Sequence, residues 1–161
     1  MPLLVFEVEG KEQLAVWMEV QEHAWSRSVA APGDPRFRDH VLTAYEFRCA
    51  ICVFDVRLGN ETVGLEAAHI KWHQNAGPDT ADNGLALCSI HHKVFDRGVF
   101  TISDEGVMVV SDHANGSEGL ESVLLRFHGR PIREAQRPEW LPNPQFLDWH
   151  RREVFRGMAR A

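Results

Sequence analysis

The stretch that decides the fold runs from Cys49-Ala50-Ile51-Cys52, through Glu66-Ala67-Ala68-His69-Ile70, to Asn83-Gly84-Leu85-Ala86-Leu87-Cys88-Ser89-Ile90-His91-His92-Lys93-Val94-Phe95-Asp96. A structural zinc ion wants four thiolate or imidazole ligands in a tetrahedron, supplied as two short pairs that each bend the chain around the ion. Cys49 and Cys52 make one such pair, and Cys88 and His91 make the other. All three cysteines of the chain are used in this way. An odd cysteine count argues against a disulfide framework, and a site of three cysteines and one histidine resolves the odd number. The alternative is three ordinary buried thiols, a common environment for free cysteine.

Around those ligands the chain reads as a β-β-α unit. Leu65 to Ile70 is expected to form a short strand ending at His69, Gly84 to Cys88 a second apolar strand, and Ser89 to Arg97 a helix stopped by Gly98. On that helix His92 and Asp96 stand four residues apart and project from one face, while Asn83 sits at the entrance of the second strand. Adjacent helical residues point about 100° apart. Pairing Cys88 with His91 therefore leaves His92 facing a separate groove. The opposite assignment widens the ligand spacing by one residue and loses the compact Cys-x-x-His pair.

In order, spacing and flanking residues this segment resembles the HNH family of nucleases, whose fold is called ββα-metal. His69, Asn83 and His92 fall on the family's name-giving positions. The words Ala67-Ala68-His69-Ile70, Asn83-Gly84-Leu85-Ala86-Leu87-Cys88 and His91-His92-Lys93-Val94-Phe95-Asp96-Arg97-Gly98 look like the branch found in bacterial restriction-type endonucleases. The motif core spans residues 49–98, with weaker similarity upstream over Phe37 to Tyr45 and downstream over Phe127 to Pro131. The resemblance implies an α+β fold: a ββα-metal core with a structural zinc site, flanked by N- and C-terminal helices and a β-hairpin. It implies a metal-dependent DNA endonuclease acting in restriction or defence against foreign DNA. His69 would be the general base and Asn83 would orient the base or the metal loop. His92 and Asp96 would hold a catalytic divalent cation, Mg²⁺, Mn²⁺ or Ni²⁺.

One position departs from the commonest pattern. Many members carry Asp or His immediately before the general base as a metal ligand, and this chain has Ala68 there. Glu66 and His73 are the nearby candidates to complete the coordination. Asp96 also has a second reading, as the end of the helix in Asp96-Arg97-Gly98. A zinc-organised DNA- or protein-binding module without catalysis is the rival function, with Asn83-Gly84 a plain turn and His69 a satisfied histidine at a strand end.

Composition frames these readings. With 161 residues, 44% hydrophobic and 25% charged, the chain is long enough for a modest core that zinc would reinforce. No apolar run approaches the ~20 residues needed to cross a bilayer, and no signal peptide is legible, so the expected location is the cytoplasm, with no membrane partner. The net charge of −6 is uncomfortable for a DNA-binding chain, but residues 126–161 hold eight basic and four acidic side chains. Arg126, Arg130, Arg133, Arg137, Arg151 and Arg152, with Lys71, Lys93 and Arg97, are expected to form a phosphate-facing stripe.

Residues 1–34 read as an extension of one strand (residues 3–8) and one helix (Lys11 to Trp25), and residues 35–161 as the nuclease domain. A helix over Arg36 to Arg48 with Phe37, Val41, Leu42 and Tyr45 inward, a hairpin around Asp104-Glu105-Gly106, and a final helix from Asn143-Pro144 carrying Leu147, Arg151, Val154 and Met158 complete the plan. The chain has no room for a separate reader of DNA modification. A homodimer, or a separate specificity domain or subunit, is the expected partner.

Overall fold

Asp34 opens the described part of the chain, residues 34–161 of a computed structural model, and starts its first helix. The Asp34 carboxylate accepts from the Arg36 backbone N–H at 2.9 Å, and Pro35 occupies the first turn, where its missing N–H costs nothing. The resulting helix α1 (Pro35–Ala44) buries Phe37, Val41 and Leu42, with Tyr45 buried at its end. It is shorter than the expected run to Arg48. Phe47 N–H bonds the Leu42 carbonyl and Glu46 N–H the Thr43 carbonyl, the paired bonds of a Schellman stop, with Glu46 and Phe47 in the left-handed region at φ 54° and 56°. The strand and helix expected over residues 3–25 lie outside the described residues.

Cys49 to Cys52 then turns back through a left-handed Val53, and Ala50 N–H bonds Ala86 O at 2.7 Å. A small hairpin of β1 (Arg57–Leu58) and β2 (Glu61–Thr62) follows, unforeseen because two-residue strands carry no periodic signal. Next come the expected strands, β3 (Leu65–His69) and β4 (Gly84–Cys88), antiparallel with Leu65 opposite Cys88 and His69 opposite Gly84. Every residue of β4 is buried, as its unbroken apolar run requires of a strand covered on both faces.

Helix α1 crosses the start of β4 so closely that a Cβ at Gly84 would meet Val41 Cγ2 at 2.2 Å and the Phe37 ring at 3.1 Å. Helix α2 (Ser89–Asp96) leaves β4 directly, and Gly98 stops the chain at φ 70° as its sequence position suggested. The expected hairpin forms as β5 (Phe100–Ile102) and β6 (Met108–Val110). A short helix α3 (Glu118–Val123) was not anticipated.

The last helix, α4 (Pro144–Glu153), is capped by the Asn143 side chain, which accepts from Gln145 N–H at 3.0 Å. It ends before Val154, so Met158 is not on it and stands 73% exposed. Two buried groups dock it. Leu147 enters the core, and His150 stacks on Phe95 with ring centroids 3.8 Å apart. His150 Nε2 lies 3.2 Å from the Phe95 carbonyl and Nδ1 2.9 Å from the Thr101 hydroxyl. A neutral ring donating at Nε2 and accepting at Nδ1 satisfies both partners. No helix among the described residues is long and apolar enough to cross a membrane.

Two measurements check this packing. Gly84→Ala should lower unfolding stability by about 1–3 kcal/mol through overpacking against α1. Gly119→Ala, with nothing near its added methyl, should raise it by about 0.5–1 kcal/mol in the same denaturant titration. Burial holds the His150 ring down at about 4 against an ordinary 6.5. The unfolded chain therefore takes up a proton that the folded chain refuses, so stability present above pH 6.5 falls as pH drops toward 4. On the order of 3 kcal/mol of that fall should disappear in His150→Gln, read from denaturation midpoints across the window.

Candidate functional site

Cys49, Cys52, Cys88 and His91 come together with their ligand atoms all within 4.8 Å of one another. Cys52 and Cys88 sulfurs are 3.9 Å apart, and His91 Nδ1 lies 3.2 Å from Cys88 Sγ and 3.7 Å from Cys49 Sγ. Tetrahedral zinc with bonds of about 2.3 Å to sulfur and 2.0 Å to nitrogen has ligand-to-ligand edges of about 3.5–3.8 Å. The cluster could hold that ion. His91 Nε2 lies 2.9 Å from the Val123 carbonyl, so the ring donates there and leaves Nδ1 free to bind metal. Hydrogen bonding to Cys49 pulls the Cys88 thiol down and pushes the Cys52 thiol up, so the sulfurs share protons that metal binding would release.

A second set of polar side chains stands on another face of α2 and at the end of β3. His92 Nδ1 is 2.5 Å from Glu66 Oε2, and Ser89 donates to Glu66 Oε1 at 2.7 Å. Burial pushes the Glu66 carboxyl up, but the hydrogen bonds from Ser89 and His92, with the charges of His92 and Lys93, outweigh it and hold the group below the ordinary range. An ionised carboxylate only accepts, so His92 donates from Nδ1. Its Nε2 then faces Asp96 Oδ2 at 3.4 Å. Burial raises the Asp96 carboxyl, partly opposed by the charges of His92 and His69.

His69 ends β3 with its ring stacked on Phe37, centroids 3.9 Å apart and planes within 14°. Its Nε2 lies 2.7 Å from Asp79 Oδ1, and the His73 ring stands edge-on at 6.2 Å. Asn83 is fully buried. Its side chain accepts from Lys71 N–H at 2.8 Å and donates to the carbonyls of Lys71 at 3.0 Å and Pro78 at 2.8 Å. From the end of the β3–β4 loop it thus grips both the loop's start at Lys71 and its middle at Pro78.

Residues 49–103 match the family described as HNH endonuclease. This segment is an HNH-type core. A solved structure described as "Modification dependent TagI restriction endonuclease" is similar, with TM-score 0.53 and 22% identity over 77% of this chain and 39% of that one. The chain therefore spans about two fifths of that enzyme's length, and the likeness supports the fold. Comparison with curated proteins finds no match.

Within the HNH core the structure separates residues that the sequence left together. Glu66 sits against the Nδ1 edge of His92, and His73 lies beside Asp79, with Nε2 4.0 Å from Asp79 Oδ2. The arginine stripe is largely absorbed by local acids. Arg133 pairs with Glu46, Arg152 with Asp148 at 3.0 Å, and Arg151 with Asp104 at 2.7 Å while also donating to Ile102 O. Arg137 stacks over Trp140 at 4.5 Å. Among the described residues Lys71, Lys93, Arg97, Arg126 and Arg130 show no ion pair. Asp79 escaped the sequence reading because Gly77-Pro78-Asp79-Thr80 looks like any turn.

Elemental analysis of the purified chain should find about one equivalent of zinc, retained in weak chelator. Cys88→Ala should lose both the metal and cooperative unfolding; folded wild type without bound metal would contradict the assignment.

Proposed function

We propose that this chain is the cutting part of a metal-dependent DNA endonuclease, with residues 35–161 as the nuclease domain and residues 1–34 as an extension. The observation that supports it best is the pair on α2. Glu66 holds the proton of His92 at Nδ1, so the free electron pair of Nε2 and the carboxylate of Asp96 face each other at 3.4 Å. Two acceptors aimed at one point fit a divalent cation, and His92 and Asp96 would hold it. Such a cation would neutralise charge on the scissile phosphate and on the departing 3′ oxygen.

The remaining roles fall to the chain's own groups. His69 takes a proton from water, whose oxygen attacks phosphorus as the bond to the 3′ oxygen breaks; the leaving oxygen is protonated from solvent. Phe37 fixes the plane of the imidazole. Asn83, with no exposed surface, acts on the loop and not on the substrate. Zinc in the Cys49, Cys52, Cys88 and His91 cluster is structural. Mg²⁺, Mn²⁺ or Ni²⁺ fits the mixed imidazole and carboxylate pair.

Arg133, Arg137, Arg151 and Arg152 of the expected stripe are engaged by acids, and the neighbouring enzyme is longer than this chain and described as modification dependent. Both support a role in restriction with specificity supplied by a separate domain or subunit. Double-strand cleavage by one site per chain would further require two copies. The absorbed arginines also favour the second reading, a zinc-organised binding module without catalysis.

Conversion of supercoiled plasmid to nicked or linear DNA separates the two. Wild type should cut with Mg²⁺, Mn²⁺ or Ni²⁺ and not with EDTA, and His69→Ala should lose about 100-fold or more while keeping its fold and zinc. Absence of cutting by folded, zinc-loaded wild type would favour the binding module.

A further inference from the structure

We infer that Asp79 is a positioning residue that fixes the ring tautomer of His69, holding the proton on Nε2 and leaving Nδ1 as the nitrogen that accepts one from water. The catalytic part of this inference rests on the nuclease reading above; the tautomer part does not.

The geometry begins with the carboxylate. Asp79 Oδ2 accepts from the Asp34 backbone N–H at 2.8 Å, which turns Oδ1 toward His69 Nε2 at 2.7 Å. That backbone bond is the chief cause holding the Asp79 carboxyl below its ordinary range, against burial and with help from His69 and His73. An ionised carboxylate has no proton to give, so the ring must donate from Nε2. A neutral imidazole then carries its lone pair on Nδ1. Phe37, stacked at 3.9 Å, prevents the ring from tilting, and 22% of the His69 side chain stays exposed for a water or phosphate to reach.

The loop that carries Asp79 is itself fixed. Asn83 donates to the carbonyl of Pro78, the residue before Asp79, and grips Lys71 at the other end of the loop. A chain of contacts thus runs from Asn83 through Pro78 and Asp79 to His69. It explains how a fully buried asparagine bears on a base it does not touch.

Asp79→Asn makes a sharp test because the Asp34 N–H dictates which way the amide turns. The new oxygen must face Asp34, so the amide NH₂ faces His69 and donates to Nε2. The ring proton is then driven to Nδ1, the nitrogen that must be free. Long-range ¹H–¹⁵N spectra of the zinc-loaded full chain, with His69 signals identified by their loss in His69→Gln, read the tautomer directly. Wild type should show the neutral Nε2–H form and Asp79→Asn the Nδ1–H form. Plasmid cleavage by Asp79→Asn should fall about 10- to 100-fold in kcat, with KM, zinc content and melting temperature unchanged.

An Nδ1–H ring in wild type overturns the inference without need of the variant, and so does an unchanged tautomer in folded Asp79→Asn. Cleavage within about twofold of wild type despite an inverted tautomer would overturn the catalytic part. If wild type does not cut at all, the nuclease reading fails, and the spectra still decide what Asp79 does to the ring.

Discussion

Everything in the described chain is arranged around the requirement that Cys49, Cys52, Cys88 and His91 meet. The cluster ties a turn that follows α1 to the junction where β4 becomes α2, and so fixes both where that helix begins and which way it is rotated. The rings of Phe100 and Phe127 stand edge-on to His91 with centroids 6.1 and 5.8 Å away, and the Val123 carbonyl holds its outer nitrogen. A core built from so few long elements has little apolar area with which to fix a short helix by packing alone. A four-ligand ion would supply the constraint at one point.

The sequence was most legible where ligand spacing and strand pattern coincide. Strand β4 and the Gly98 stop fall where the residues placed them, because apolar runs and left-handed glycine are local signals. The end of α1 was not legible. Its stop uses Glu46 and Phe47 in conformations that such side chains rarely adopt, and only the closing hydrogen bonds make them tolerable. Arginine pairing was equally hidden, since Arg133 with Glu46 and Arg151 with Asp104 join residues far apart in sequence. The signature residues of the candidate site could be named in advance. Asp79 and the bonding of Glu66 could not, for a carboxylate's partner across a loop or between strand and helix leaves no periodic trace.

Position 68 shows how a missing ligand type is absorbed. Successive strand residues alternate faces, so residues 66 and 68 share one and His69 takes the other. Ala68 is fully buried opposite Leu85, and the carboxylate on that face belongs to Glu66, where it grips the ring of His92. The acid thus stands two residues before the position where the resemblance implies a ligand, and it holds the His92 ring. His92 and His69 each have one ring nitrogen held by an acid, His92 through Nδ1 and His69 through Nε2.

The adjacency of His91 and His92 sets a rule for how this segment can vary. The two imidazoles face different sides of one short helix because they differ by a single step of about 100°. Ile90, more than half exposed, can be replaced by many side chains without disturbing either side. Length is another matter. Losing or gaining one residue between Cys88 and Asp96 would turn every later position by that same step and swing the acid at the helix end away from its groove. Over evolutionary time the segment should therefore drift freely in letters at its exposed positions and not at all in number.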